Sequence, residues 1–265
     1  MFLTTGNGTF DNTMSTLPPL PPNNDFAMSF LSLDTTTLTV KDFYTPMNEA
    51  AWSANDWDIS SGGVTVIPDG QGSSAHPNLL VGGDKQGNFW LLDRSSLGHY
   101  SAITNNVVQL SMLPGSVGCS DNCVFSTPAY YAGTVYIAES VGQLLALPLT
   151  NGVFAVDGTN SIVASSVSAD VYRFPGPTPV ISASPGGGAV VWVLENGAAA
   201  TPTQVAGPAI LRAYDASNLG TTLYSSASLA ADSAGNAIKF TVPLIANGRV
   251  YVVGSGQLTV YGIAP

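Results

Sequence analysis

Cys119 and Cys123 form the one pair of side chains here whose type and spacing suggest chemistry unaided. Cys-Ser-Asp-Asn-Cys fits a small loop disulfide in an oxidising compartment, or else two free thiols. With His76 and His99 far off in sequence, these thiols assemble no zinc shell. Other reactive side chains are scarce: 7 Lys and Arg stand against 17 Asp and Glu. Lys85 is one of three lysines and sits in a Lys-Gln-Gly turn. Taken alone, Asn7-Gly8 reads as a turn dipeptide, and Asp56 and Asp58, flanking Trp57, read as loop carboxylates that cap turns.

The formal charge of −10 argues against nucleic acid or an anionic membrane as partner, because both require basic patches. The acidic residues are scattered, which fits a solvated acidic surface better than a dedicated cation site. No apolar run reaches the roughly 18 residues that would span a bilayer. Met1 to Gly6 lacks the charged n-region of a secretory signal, and the chain reads as opening within a strand.

The elements that must position these residues are strands. Pro68, Pro128, Pro185 and Pro243 recur 60, 57 and 58 residues apart, each beside an apolar run. The segments 126–137 and 240–252 align, with Pro128 over Pro243 and Tyr136 over Tyr251, and Gly142-Gln143-Leu144 then matches Gly256-Gln257-Leu258. A period of this size filled with alternating apolar runs predicts a modular all-β fold. Apolar residues make up 45% of the chain, and 28 Gly and 18 Pro supply its turns. The expected architecture is a β-propeller of four-stranded antiparallel blades, over residues 1–45, 64–113, 124–174, 180–225 and 237–263. The first unit lacks an inner strand and the last lacks an outer one. That leaves about four and a half blades, read as part of a larger ring. Trp90, Trp192, Tyr136 and Tyr251 fall at strand positions and read as blade core.

Several segments resemble the pyrroloquinoline quinone (PQQ) dependent alcohol dehydrogenases, an eight-bladed quinoprotein family. They are Thr5-Gly6-Asn7-Gly8, Ser29 to Asp34, Tyr44-Thr45-Pro46, Asp56-Trp57-Asp58, and Gly83 to Arg94. The match is at motif level over residues 3–94. It continues at blade level, with Asn247 to Gly262 similar to a last blade of the same superfamily.

The resemblance implies roles. Asn7 would give its amide oxygen to calcium, a hard cation that takes oxygen ligands. Asp58 would share that metal and act as general base on a substrate hydroxyl, with Asp56 a competing candidate. Lys85 would contact the quinone oxygens and stabilise charge on the reduced cofactor. Met47 to Ala54 is extra relative to the family pattern and shifts the placement of Asp58. The family's stacking Trp, its other calcium carboxylate and its vicinal cysteines have no counterpart here; Cys119 and Cys123 are not adjacent.

Two functions follow. One is a fragment or truncated form of a periplasmic or extracellular dehydrogenase. Its full-length parent would oxidise an alcohol or sugar with PQQ and calcium, while this chain alone would bind neither strongly. The other is a non-catalytic propeller scaffold of the cell envelope. Open blade edges at either end are expected to promote self-association.

Overall fold

Period-two patterning decides the architecture. Alternate side chains of a strand point to opposite faces, so a strand apolar at nearly every position must bury both. The segments Leu79–Gly83 and Asn88–Asp93 have this character. Leu80, Trp90 and Leu92 pack to one side, while Val81, Phe89 and Leu91 pack to the other. Such a sheet needs a neighbour on each face.

The result, seen in a computed structural model that describes residues 1–12, 20–116, 123–195 and 207–262, is five successive antiparallel meanders stacked face to face. Blade 1 holds β1 (Phe2–Thr4), β2 (Phe30–Leu33) and β3 (Val40–Thr45). A six-residue helix, α1 (Glu49–Ala54), follows. Blade 2 holds β4 (Val64–Val66), β5 (Leu79–Gly83), β6 (Asn88–Asp93) and β8 (Gln109–Met112). Between the last two, β7 (His99–Tyr100) crosses back and pairs in parallel with β3, giving blade 1 a fourth strand. Blade 3 holds β9 (Ala129–Tyr131), β10 (Thr134–Ala138), β11 (Gln143–Thr150) and β13 (Ser166–Val171), with β12 (Val153–Phe154) extending the far end of β11. Blade 4 holds β14 (Val180–Ala183), β15 (Ala189–Glu195), β16 (Ile210–Asp215) and β17 (Asn218–Ser225). Blade 5 holds β18 (Leu244–Ala246), β19 (Arg249–Gly254) and β20 (Gln257–Tyr261). This is the propeller arrangement expected from the repeat.

Four apolar clusters join the blades in sequence. Phe30, Tyr44 and Trp90 lie between blades 1 and 2, Val81, Leu91 and Ile137 between 2 and 3, Tyr136, Val191 and Tyr214 between 3 and 4, and Leu211, Val250 and Val252 between 4 and 5. Trp90 and Tyr136 are buried as expected, whereas Trp192 and Tyr251 are half-buried. The outer face of blade 1 is covered by its own long loop, with Phe10 and Phe26 packed on Phe43. The outer face of blade 5 leaves Leu244, Val253, Leu258 and Val260 exposed.

Local turns fix the register. Asn247 and Gly248 both have positive φ, 50° and 70°, and form the two-residue turn between β18 and β19. That geometry suits the right-handed twist of a hairpin and favours Asn-Gly. A cavity of about 490 Å³ runs along the axis. It is lined by β1, by the entry to β4, and by the segments leading into β9, β14 and β18, so all five blades reach it. Among the described residues no helix is long and apolar enough to cross a membrane.

Candidate functional site

The site begins with the β5–β6 turn. Asp84 closes it as a fully buried carboxylate. One oxygen accepts the backbone N–H groups of Gln86 and Asn88, each at 2.9 Å. The other accepts the Trp90 indole N–H at 2.8 Å and the Asn88 amide at 3.0 Å. Burial pushes the Asp84 pKa up to about 6, although these donors favour its ionised form. Gly87 follows at φ 80°, and a Cβ there would lie 2.1 Å from Ser116. The turn is therefore rigid, and it carries Lys85.

Lys85 is buried rather than an exposed hairpin residue. Its ammonium lies 2.7 Å from Asp58 Oδ2 and 3.0 Å from Asp56 Oδ2. Burial works against the positive charge, but hydrogen bonds to Asp58 and Asp56 outweigh it and raise the lysine pKa. The same contact, with a hydrogen bond from Asn7, holds the Asp56 carboxyl below its ordinary range. The Lys85 backbone N–H donates to the Asp58 carbonyl at 3.1 Å, so backbone and side chain both tie the turn to this loop.

Asn7 completes the group from blade 1. Its backbone N–H donates to Asp58 Oδ1 at 2.9 Å, and its side-chain amide donates to Asp56 Oδ1 at 2.7 Å. Gly6 permits this approach, because a Cβ there would stand 3.1 Å from Asp58 Oδ1. The extra residues before Trp57 form α1, and α1 contributes to the site. Ser53 Oγ accepts from the Gly8 N–H and donates to the Gly8 carbonyl, both at 3.1 Å. The insertion thus clamps the Asn7-Gly8 turn onto the loop holding Asp56 and Asp58.

The structure brings Asn7, Asp58 and Lys85 together from three segments. Asp56, the competing candidate for the role of Asp58, pairs with both Lys85 and Asn7. The architectural role of Asp84 had a sequence signal, an Asp-x-x-Gly-Asn turn directly after an apolar strand. Cys123 is disulfide-bonded. Cys119 lies outside the described residues.

As a calcium site the cluster is incomplete. Both Asp58 oxygens are engaged, by the Asn7 N–H and by Lys85, and the ammonium occupies the space between the two carboxylates. Among the described residues no three His, Cys, Asp or Glu side chains gather where they could hold a metal ion. Calcium takes six to eight oxygens, so Asn7 and Asp58 do not by themselves fit it.

No protein-family model matches the chain, and no curated protein does. Among solved structures, BamB from Moraxella catarrhalis is similar over 98% of this chain and 60% of that one, at 14% identity and a TM-score of 0.46. The chain thus spans less than two thirds of that structure.

Proposed function

We infer that the cluster is the proton-handling side of a quinone-dependent alcohol or sugar dehydrogenase site. What supports this reading is the convergence of Asn7, Asp58 and Lys85, distant in sequence, into one hydrogen-bonded cluster. The resemblance assigns those three positions to a single site. Asp58 is a partly exposed carboxylate whose orientation is fixed at both oxygens, as a base must be toward a hydroxyl proton. Asn7 holds that carboxylate through its backbone N–H, and Asp56 holds Lys85 from the solvent side. An ammonium has three donors, and two are spent on Asp56 and Asp58. The third can meet a quinone oxygen, and PQQ fits this cluster at that single point. When bound, PQQ supplies the carbonyl that accepts the electrons of the substrate C–H bond. Calcium enters no step. The reading assigns the stacking wall to further blades of the ring, and periplasmic or extracellular residence agrees with the Cys123 disulfide.

By this reading the chain alone binds PQQ weakly and oxidises no alcohol. In a full ring containing these blades, Asp58→Asn abolishes dye-linked turnover while the cofactor stays bound, because the shape persists and the base is gone. Unchanged turnover in that variant would remove the base assignment. A second reading, a non-catalytic interaction scaffold, is favoured by the exposed apolar face of blade 5. Light scattering at micromolar concentration tests it, since a monodisperse monomer speaks against association through that face.

A further inference from the structure

The sheets of blades 4 and 5 face each other across a cleft of about 750 Å³ that is open to solvent. Three half-buried rings meet there: Trp192 from β15, Tyr224 from β17 and Tyr261 from β20. Tyr224 and Tyr261 stand edge to face, with centroids 6.1 Å apart. Trp90 and Tyr214, at other blade junctions, are closed in completely, whereas these three keep part of their surface on the cleft. The lining also includes the β18–β19 turn. Successive turns of a meander alternate between its two ends, so the cleft reaches the end of the blades away from the β5–β6 turn and Lys85.

The polar ends of the rings are already committed. The Trp192 indole N–H donates to Ser182 Oγ at 2.9 Å, the Tyr224 hydroxyl to Asp232 Oδ2 at 2.7 Å and the Tyr261 hydroxyl to the Asp232 carbonyl at 2.8 Å. Burial, with Asp232 adjacent, pushes the Tyr224 phenol above its ordinary value and keeps it neutral. What the rings offer a ligand is therefore the negative face of their π-systems, and no donor. Asp232, the one charged side chain in the lining, has the same preference. No lysine, arginine or histidine lines the cleft, and among the described residues only one Asp232 carboxylate oxygen receives a hydrogen bond. Ile245 and Val250 add apolar wall. A polyhydroxy ligand needs donors as well as acceptors, and the ring donors are spent, which favours a cation over a sugar. The formal charge of −10 draws cations toward the chain as a whole.

We propose that the cleft between blades 4 and 5 binds a small organic cation, an ammonium group carrying apolar substituents, held against Trp192, Tyr224 and Tyr261 with Asp232 as its counter-ion. The rings supply cation–π attraction, the carboxylate supplies charge, and the aliphatic walls take the substituents. This site is independent of the Asp58 and Lys85 chemistry.

The test adds choline to the full chain and follows the indole N–H resonance of Trp192 by NMR, assigned by its absence from Trp192→Phe. A saturable shift is expected. The neutral carbon isostere of choline, with a tert-butyl group in place of trimethylammonium, should bind ~10-fold or more weakly than choline. That arm uses the unaltered chain and does not depend on the folding of any variant. Asp232→Asn keeps an acceptor for the Tyr224 hydroxyl and removes the charge, so choline should bind it ~10-fold more weakly while the isostere binds as before. Absence of a saturable shift with choline, equal binding of choline and its isostere, or unchanged choline affinity in Asp232→Asn overturns the proposal. A saturable shift with glucose and none with choline would assign the cleft to a neutral sugar and also overturn it.

Discussion

Blades 2 and 3 build the same turn at the same place and use it differently. In blade 2 the tip is Asp84-Lys85, and in blade 3 it is Glu139-Ser140. The first residue of each is a buried carboxylate, and its N–H closes the hairpin onto Asn88 or Gln143, at 3.1 and 3.2 Å. The second residue of each donates its N–H to the loop entering the inner strand of its own blade, Lys85 to Asp58 and Ser140 to Cys123, at 3.1 and 2.8 Å. Asp58 and Cys123 are thus equivalent positions in successive blades. In blade 2 the side chain after the carboxylate carries an ammonium to two aspartates. In blade 3 the Ser140 hydroxyl is buried without a hydrogen-bond partner among the described residues. The scaffold repeats, and the chemistry is grafted onto one copy of it.

The sharpest test compares the carboxylates. Asp84→Ala strips partners from Trp90, Asn88 and two backbone N–H groups, and should cost about 3 kcal/mol or more, from buried groups left unpaired at roughly 1–3 kcal/mol each. Glu139 accepts from Ser116 Oγ at 2.8 Å and from the Gly115 and Ser116 backbone, so Glu139→Ala should cost less. Urea unfolding followed by tryptophan fluorescence measures both. Equal losses would mean that the two turns are energetically alike.

The pH dependence comes next in size. The folded pKa of Asp84, about 6, lies above the ordinary value of 3.8. Between these values the native state binds more protons than the unfolded chain, so this group's contribution is present below about pH 4 and is lost as pH rises through 6. The difference in stability between the natural chain and Asp84→Asn should therefore shrink across that window, by up to about 3 kcal/mol at 1.36 kcal/mol per pH unit. A difference that does not change from pH 4 to 7 would rule out ionisation of Asp84 in the fold.

The second tip residues should give the smallest effects, with opposite signs. Lys85→Ala removes the cation from the half-buried Asp58, leaving it the Asn7 N–H, and should cost about 1–2 kcal/mol, the exposed Asp56 adding little. Ser140→Ala removes a buried hydroxyl that has no partner among the described residues and should be neutral or stabilising by up to about 1 kcal/mol. Loss of stability in Ser140→Ala comparable to that in Lys85→Ala would erase the distinction between the tips.

Much of the fold was legible because it is local and repeated. The proline period, the alternation in Leu79–Gly83 and Asn88–Asp93, and the Asn247-Gly248 turn each follow from backbone sterics and a two-residue side-chain period. Strand ends were less legible: the third unit, expected to run to residue 174, has its outer strand at Ser166–Val171. Other features depended on distant partners. The helix α1 is one and a half turns long, too short to show a period, and is held by its contact with Gly8. β7 is two residues long and exists because blade 1 offered β3 an edge.

For the site, the sequence by itself determined which residues were chemically capable: a rare lysine, a Trp-Asp loop and an Asn-Gly turn. Only the tertiary structure decided that they meet, that Lys85 is buried, and that Asp56 binds it beside Asp58. The physical reason is that burial and ion pairing here belong to a junction between blades. Asn7 comes from the loop after β1, Asp56 and Asp58 follow α1, and Lys85 stands on the β5–β6 turn. No window of sequence contains all three segments, and the packing of Trp90 between Tyr44 and Trp52 helps set how closely they approach.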